Sequence, residues 1–298
     1  MPSSRLPDVL AGPWPARITW AVLPLAIGPA LGAALDERST AVARTGSVLA
    51  WTVWAAVLVA VLIPRTVSLT ALRIAAPAGL GLANWAAQAG PRGAADVVAV
   101  VGAAVTVVAA FSPATGDCFV NGSSYGDERR MPLRVPGALL LGPLPLAWLA
   151  AVAAPVAVPL LLASRQWGAA AIVAVVGAPA AAVGVRALHG LSRRWVVFVP
   201  AGMVLHDLHA MVDPVLFPRA SIARLGPAPA DGDGALDLTL RALGLALEVE
   251  LREPAEVAPR RADREVKVEP TARILFSPTR PGAVLAEAAR RRFAVGAP

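Results

Sequence analysis

The chain has 298 residues, of which 56% are hydrophobic and only 16% are charged. Soluble domains usually carry about 25% charged residues, so this composition excludes an ordinary soluble protein and a disordered one. The formal net charge is +7, and Lys267 is the only lysine among 27 basic residues. This arginine bias, together with the abundant alanine, glycine and proline, is typical of a GC-rich bacterial genome. The single cysteine, Cys118, excludes a disulfide framework and a thiolate metal cluster.

Long apolar runs occupy the first two thirds of the chain. A helix rises 1.5 Å per residue, so about 20 apolar residues cross a hydrocarbon core about 30 Å thick. The runs are too long for buried strands, which have about 4–8 residues. The sequence therefore predicts an α-helical membrane bundle over residues 1–189, with about six transmembrane helices near 18–35, 48–63, 69–87, 97–111, 139–163 and 169–188. The third run contains Arg73 and Pro77, and whether it crosses the membrane stays open at this point.

The distribution of arginine predicts the orientation of these spans. With six spans, more arginines flank the side that holds both chain ends than flank the other side. Positively charged loops favour the cytoplasm. We therefore expect a multi-pass protein of the inner (plasma) membrane with a cytoplasmic C-terminal domain. Tryptophans near the span ends are typical of an interfacial belt, and the expected members are Trp20, Trp85, Trp167 and Trp195.

Prolines inside the predicted spans favour a second interpretation. Broken helices surround the midplane sites of many transporters, and Pro155 and Pro159 interrupt the fifth span. Membrane helices also tolerate proline where neighbouring groups bind the freed carbonyls. No acidic residue or histidine lies at the centre of a predicted span, whereas transporters normally place ionisable groups there. A small-molecule or lipid transporter is therefore the alternative function.

A polar loop at 112–135 separates the fourth and fifth spans. Loops of this length are often functional, and this one predicts an interaction or binding loop. Its glycine, serine, asparagine and aspartate residues also suit plain turns, so a solvated connector is the alternative. Cys118 could act as a nucleophile, but the loop offers no histidine to activate it. The candidate binding residues are Asp117, Cys118, Asn121, Tyr125, Asp127, Glu128, Arg129 and Arg130.

The composition changes at Gly190, and residues 190–298 predict a small, mainly β domain. Short alternating runs predict strands from Trp195 onward, the last at 266–268 and 274–276. In the run at 245–251, Glu248 and Glu250 are expected on the solvent face. A closing helix is predicted to begin at Pro281, with Thr279 as its cap.

Three stretches of this region resemble the bacterial pleckstrin-homology-like (PH-like) domains that lie beside transmembrane helices. They are RWVVFVPAGMVLHD, FPRASIARL and ILFSPTRPGAVLAEAARRR. The resemblance covers about the last third of the chain and implies a binding or assembly module rather than a catalyst. It does not carry over lipid-headgroup binding, because no basic phosphoinositide pocket can be placed. The whole arrangement resembles an actinobacterial type of multi-pass membrane protein to which we attach no activity.

A polar cluster at the end of the second predicted strand offers candidate metal ligands. It contains His206, Asp207, His209 and Asp213. Residues three apart on a strand point to opposite faces, so the two histidines favour a polar hairpin tip over a metal centre. We therefore predict no metal, no cofactor and no catalytic site. Asp231–Gly234 lacks the downstream glutamate of a calcium loop and predicts a turn.

The expected function is thus a membrane-anchored interaction or scaffold protein. Its predicted partners are the lipid bilayer and a protein partner or a second copy bound through the C-terminal domain. Nucleic acid is not expected, because the sequence has no basic stripe with interleaved aromatic residues. A membrane enzyme acting from the 112–135 loop is a third class, but the loop has no pair of nucleophile and base.

Overall fold

The computed structural model describes residues 12–90, 92–229, 234–260 and 268–296. The chain forms two compact units. The first comprises Met1–Gly122 and Pro145–His189, and the second comprises Ser123–Leu144 and Gly190–Pro298. The sequence predicted a boundary at Gly190. The structure adds to the C-terminal unit a segment that precedes the fifth span.

The first unit is helical. Among its described residues, six helices have between 18 and 25 residues and are long and apolar enough to cross a membrane, as predicted, and the third run is one of them. A short helix, α5, follows α4. The helices are α1 Trp14–Asp36, α2 Thr40–Leu62, α3 Thr66–Ala89, α4 Ala94–Phe111, α5 Pro113–Asn121, α6 Pro143–Ala163 and α7 Trp167–Leu191.

Polar side chains join α1 to α2. The indole Nε1 of Trp20 donates to the carbonyl of Trp54 at 3.0 Å, and Trp54 returns the same bond to Trp20. The guanidinium of Arg17 donates to the carbonyls of Val61 and Leu62 at the end of α2. The last carbonyls of a helix have no partner within the helix, so Arg17 satisfies groups that lipid would leave unbound. Trp20 is buried and therefore does not contribute to an interfacial belt.

Arg73 has a similar structural role. Its Nε donates to the carbonyl of Ala110 at 3.3 Å, near the end of α4, and its guanidinium lies over the ring of Phe111. A cation near the last turn of a helix complements the helix dipole. Arg73 of α3 therefore caps the C-terminal end of α4.

Small residues allow α6 and α7 to approach closely. A Cβ atom added at Gly184 would lie 2.4 Å from the carbonyl oxygen of Ala147, and one at Gly177 would lie 2.5 Å from the Cβ of Ala154. Small residues at such crossings are common in membrane bundles. Two polar contacts connect this pair to α3: Trp148 Nε1 donates to the carbonyl of Ile74 at 3.0 Å, and Thr70 Oγ1 lies 3.0 Å from His189 Nδ1.

The described residues of the second unit form two four-stranded sheets and a final helix, which confirms the predicted mainly β domain. The first sheet is antiparallel in the order β1-β2-β3-β4, with β1 Arg129–Pro132, β2 Trp195–Val199, β3 Gly202–His206 and β4 Val215–Pro218. The second sheet has the order β5-β7-β8-β6, in which β6 is parallel to β8. Its strands are β5 Ile222–Pro227, β6 Leu236–Asp237, β7 Leu247–Val257 and β8 Glu269–Phe276, and α8 Pro281–Arg290 follows.

Both sheets and α8 contribute to one hydrophobic core. The inward-facing residues of the strands alternate with outward-facing ones, as a sheet requires. The core includes Met131, Phe198, Met203, Phe217, Leu225, Val249, Phe276, Val284 and Ala288. A residue of the polar loop, Met131, is therefore part of the core of the C-terminal unit.

The structure corrects three details of the predicted β domain. Glu248 is buried rather than on the solvent face, and its carboxylate accepts from Arg224 at 3.0 Å and from Arg273 at 2.6 Å. Pro281 opens α8 as predicted, but Thr279 does not cap it; the Thr279 hydroxyl donates to the carbonyl of Pro132. The sequence LDLTL at 236–240 alternates as a strand does, but the strand ends at Asp237, and Leu240 and Arg241 adopt left-handed φ angles of 53° and 55°. The turn predicted at 231–233 and the strand residues 266 and 267 lie outside the described residues.

Candidate binding groove

The polar loop supplies an edge strand to the C-terminal unit. Arg129–Pro132 pairs antiparallel with β2, with Arg129 opposite Phe198 and Met131 opposite Val196. The pairing continues past the strand, since the amide of Leu133 donates to the carbonyl of Arg194 at 3.0 Å. The segment that precedes the fifth span and the segment that follows the sixth therefore form one sheet.

A buried ion pair fixes this edge. Arg194 and Asp207 form a bidentate pair, with Nε–Oδ1 and Nη2–Oδ2 distances of 2.7 and 2.6 Å, and both side chains are almost fully buried. The guanidinium of Arg194 also donates to the carbonyl of Arg134. Arg134 in turn donates to the carbonyls of Pro278 and Leu243. These bonds connect the 123–144 segment to β2, β3 and the end of β8.

The predicted polar hairpin cluster is dispersed by the fold. Asp207 is used in the ion pair, while His206 donates through Nδ1 to the carbonyl of Arg193 at 3.0 Å and stacks on Trp195. His209 is partly exposed with its Nδ1 4.0 Å from Asp207 Oδ1, and Asp213 is exposed. Within the described residues, no group of three or more His, Cys, Asp or Glu side chains is placed to hold a metal ion.

The predicted binding loop is also divided. Asp117, Cys118 and Asn121 lie in α5 of the first unit, where Asp117 is buried. In the second unit Tyr125 is 87% exposed, and the carbonyl of Asp127 accepts from Arg291. Glu128 pairs with Arg130 at 3.0 Å, and Arg130 lies over the ring of Trp195. These eight residues are therefore divided between the two units.

Arg129 lines an open groove between β1 and α8, which we name the α8 groove. Its volume is about 450 Å³, and its lining consists of Arg129, Met131, Arg280, Ala283, Ala286, Glu287 and Arg290. The two alanines leave room along the helix, and arginines occupy its rim. Sequence reasoning missed all of these residues except Arg129, because β1 and α8 are about 150 residues apart in the chain. The arginine-rich end of α8 was the only signal in the sequence.

The single carboxylate of the α8 groove is held by neighbouring arginines. Burial raises the pKa of Glu287, but hydrogen bonds from Arg290 and Arg291 have the opposite and larger effect, so the pKa lies below its ordinary value. Its oxygens accept from Arg290 Nη2 and Arg291 Nε, both at 2.6 Å, and from Arg290 Nε at 2.9 Å. Glu287 therefore stays ionised and occupied, which does not suit a general base.

The fold defines the class of protein as an integral membrane protein with a folded β domain. Comparison with known protein families, with curated proteins and with solved structures finds no match.

Proposed function

We propose that the chain is a membrane-anchored interaction protein whose β domain is a PH-like binding module on the cytoplasmic side of the plasma membrane. The observation that carries the proposal is the pairing of β1 with β2. Because β1 lies between α5 and α6 and β2 follows α7, three points of the chain connect the domain to membrane helices. Such a domain is held near the bilayer and cannot diffuse away, which is what a scaffold requires.

The α8 groove supports binding rather than catalysis. Its lining is arginine, alanine, methionine and one glutamate that is already held by two arginines. A catalytic site needs a nucleophile, or an acid and a base, within reach of each other. A basic rim over small side chains suits recognition of a negatively charged partner.

Two further features support the finer parts of the proposal. The arrangement of two four-stranded sheets with a closing helix supports the PH-like interpretation. The excess of arginines at the span ends next to the β domain supports the cytoplasmic side.

Photo-crosslinking in cells tests this function with the full chain. A benzophenone amino acid at Ala283 lies in the α8 groove, and the same residue at Ala289 lies on α8 outside it. We expect a discrete protein adduct from position 283 that is absent from position 289 and is weakened by Arg280→Ala. Equal adducts from both positions would contradict a specific binding role for this groove.

The alternative, a lipid or small-molecule transporter, is favoured by a different feature. Pro155 and Pro159 lie inside α6, and a groove of about 430 Å³ between α2 and α6 is lined by Arg38, Ser39, Val42, Ala157, Leu160, Leu161 and Ser164. Polar groups beside apolar walls would suit a lipid. In proteoliposomes this alternative predicts movement of a fluorescent phospholipid or solute that Pro155→Ala with Pro159→Ala abolishes. We expect no such movement.

A further inference from the structure

We propose that the α8 groove binds an extended, acidic polypeptide segment of a partner protein. This inference rests on the proposed function and specifies the chemistry of the partner. It depends on three properties of the groove: the sign of its charge, its length, and the small side chains of its floor.

The charge comes from three arginines on the rim. Arg129 extends from β1, Arg280 precedes α8, and Arg290 lies at the end of α8. Glu287 neutralises part of this charge through Arg290 and Arg291, so the remaining net charge of the lining is positive. Guanidinium groups bind carboxylates and phosphates with directed hydrogen bonds. The occupant is therefore an anion.

The length of the groove separates a polypeptide from a single anionic group. Arg280 and Arg290 are ten residues apart along α8, which corresponds to about 15 Å at 1.5 Å per residue. One phosphate or one lipid headgroup reaches both positions only if the two arginine side chains fold towards each other. An extended segment rises about 3.3 Å per residue, so acidic side chains at positions i and i+4 lie about 13 Å apart on the same face. Such a segment can contact both ends.

The small side chains that line the α8 groove favour a bound segment with small residues between its two acidic residues. Ala283 and Ala286 line the helical side of the groove, and Met131 lines the side of β1. Alanine side chains leave room for another backbone to lie along the helix. Alanine or valine between the acids would fill this space, and the exposed Ala286 would be covered.

Fluorescence anisotropy with the purified full chain in zwitterionic nanodiscs tests the inference. The probe is the labelled peptide Gly-Glu-Ala-Val-Ala-Glu-Gly, and the matched peptide Gly-Ala-Glu-Glu-Val-Ala-Gly has the same composition with adjacent acids. We expect the spaced peptide to bind about tenfold more tightly, since only it contacts both ends.

Two matched pairs of variants locate the binding. Ala286→Phe fills the groove and Ala289→Phe does not, while Arg280→Ala removes a rim charge and Arg252→Ala removes an exposed charge on β7. We expect Ala286→Phe and Arg280→Ala to weaken binding about tenfold and the two controls to leave it unchanged. Thermal unfolding of each variant shows that a loss of binding is not a loss of folding.

Three results would overturn the inference. The two peptides could bind equally, Arg252→Ala could weaken binding as much as Arg280→Ala, or inorganic phosphate or phosphatidylglycerol vesicles could occupy the groove more tightly than the spaced peptide. A groove-specific adduct in cells without preference for the spaced peptide would leave the proposed function standing and reject this inference. Binding of the spaced peptide without any adduct in cells would reject the proposed function and, with it, the partner protein of this inference.

Discussion

Asp207 and Arg194 show how one buried pair joins two distant parts of the chain. Both side chains are shielded from water. A substitution of one partner leaves the other charge buried without an opposite charge, so it lowers the free energy of unfolding more than the loss of an exposed ion pair would. Arg194 also binds the carbonyl of Arg134. The pair therefore stabilises both the hairpin of β2 and β3 and the segment that carries β1.

Asp207→Asn tests this pair. We expect the free energy of unfolding of the β domain to fall by about 3–5 kcal/mol, because the guanidinium of Arg194 loses its ionic partner. Asp213→Asn is the matched control, since Asp213 is exposed. Thermal unfolding of the full chain in detergent, followed by protease cleavage within 190–298, measures both. Equal stability of the two variants would show that the pair is not required.

His209 makes the β domain sensitive to acid. Burial lowers its pKa below the ordinary value of 6.5, and the positive charges of Arg194 and Arg260 add to this effect, while Asp207 partly opposes it. In the unfolded chain the histidine has its ordinary pKa and binds protons more readily. Neutral His209 therefore contributes to the free energy of unfolding of the β domain. This contribution is fully present above pH 6.5 and is lost as the pH falls from there towards the pKa of His209 in the folded state.

His209→Asn provides the measurement. Between pH 8 and pH 5 we expect the unfolding temperature of the variant to decline less than that of the native chain, because asparagine does not titrate. Parallel curves over this range would contradict the shift of the His209 pKa.

At the scale of elements, the helices and helix ends that depend on local sequence pattern were predicted correctly. The six membrane helices follow from the length of their apolar runs, and the start of α8 follows from Pro281. The pairing of β1 with β2 was missed, because Arg129 and Phe198 lie far apart in sequence and the loop composition also suits turns. Glu248 was placed on the wrong face, since alternation cannot show that Arg224 and Arg273 cover it.

The packing of α6 against α7 gives an element-scale prediction. Gly184→Val introduces side-chain atoms where a Cβ alone would lie 2.4 Å from the carbonyl of Ala147. We expect the helices to separate and the stability of the first unit to fall by about 1–3 kcal/mol. Gly168→Val is the control in the same helix, because no atom lies within 4 Å of its added Cβ. Thermal aggregation in detergent compares the two variants, and equal midpoints would reject close packing at Gly184.

At the scale of the whole molecule, the number of crossings fixes which loops share a side. If all six long helices cross, residues 123–144 and the β domain lie on one side, and the connections from α3 to α4 and from α6 to α7 lie on the other. A Cys118→Ser background provides a chain with no other cysteine. We expect Tyr125→Cys to react with an impermeant maleimide from the opposite side to Gly93→Cys and Gln166→Cys. Labelling of Arg65→Cys, just before α3, from the side of Gly93→Cys would show that α3 does not cross.

The discontinuous β domain predicts how fragments behave. A fragment of 190–298 alone lacks β1, so it loses Met131 and Leu133 from the core and the carbonyl of Arg134 that Arg194 binds. Its β2 would also present an unpaired edge, which promotes aggregation. We expect this fragment to lack a cooperative unfolding transition and dispersed amide resonances.

Joining 123–144 to the start of the fragment through a flexible linker restores the missing strand. We expect this fused chain to unfold cooperatively, and Met131→Asp within it to abolish the gain, since a charge would enter the core. Tyr125→Asp is the matched control, because Tyr125 is exposed and outside β1. If 190–298 folds cooperatively without the added segment, the domain does not need β1, and the pairing of β1 with β2 does not support a scaffold.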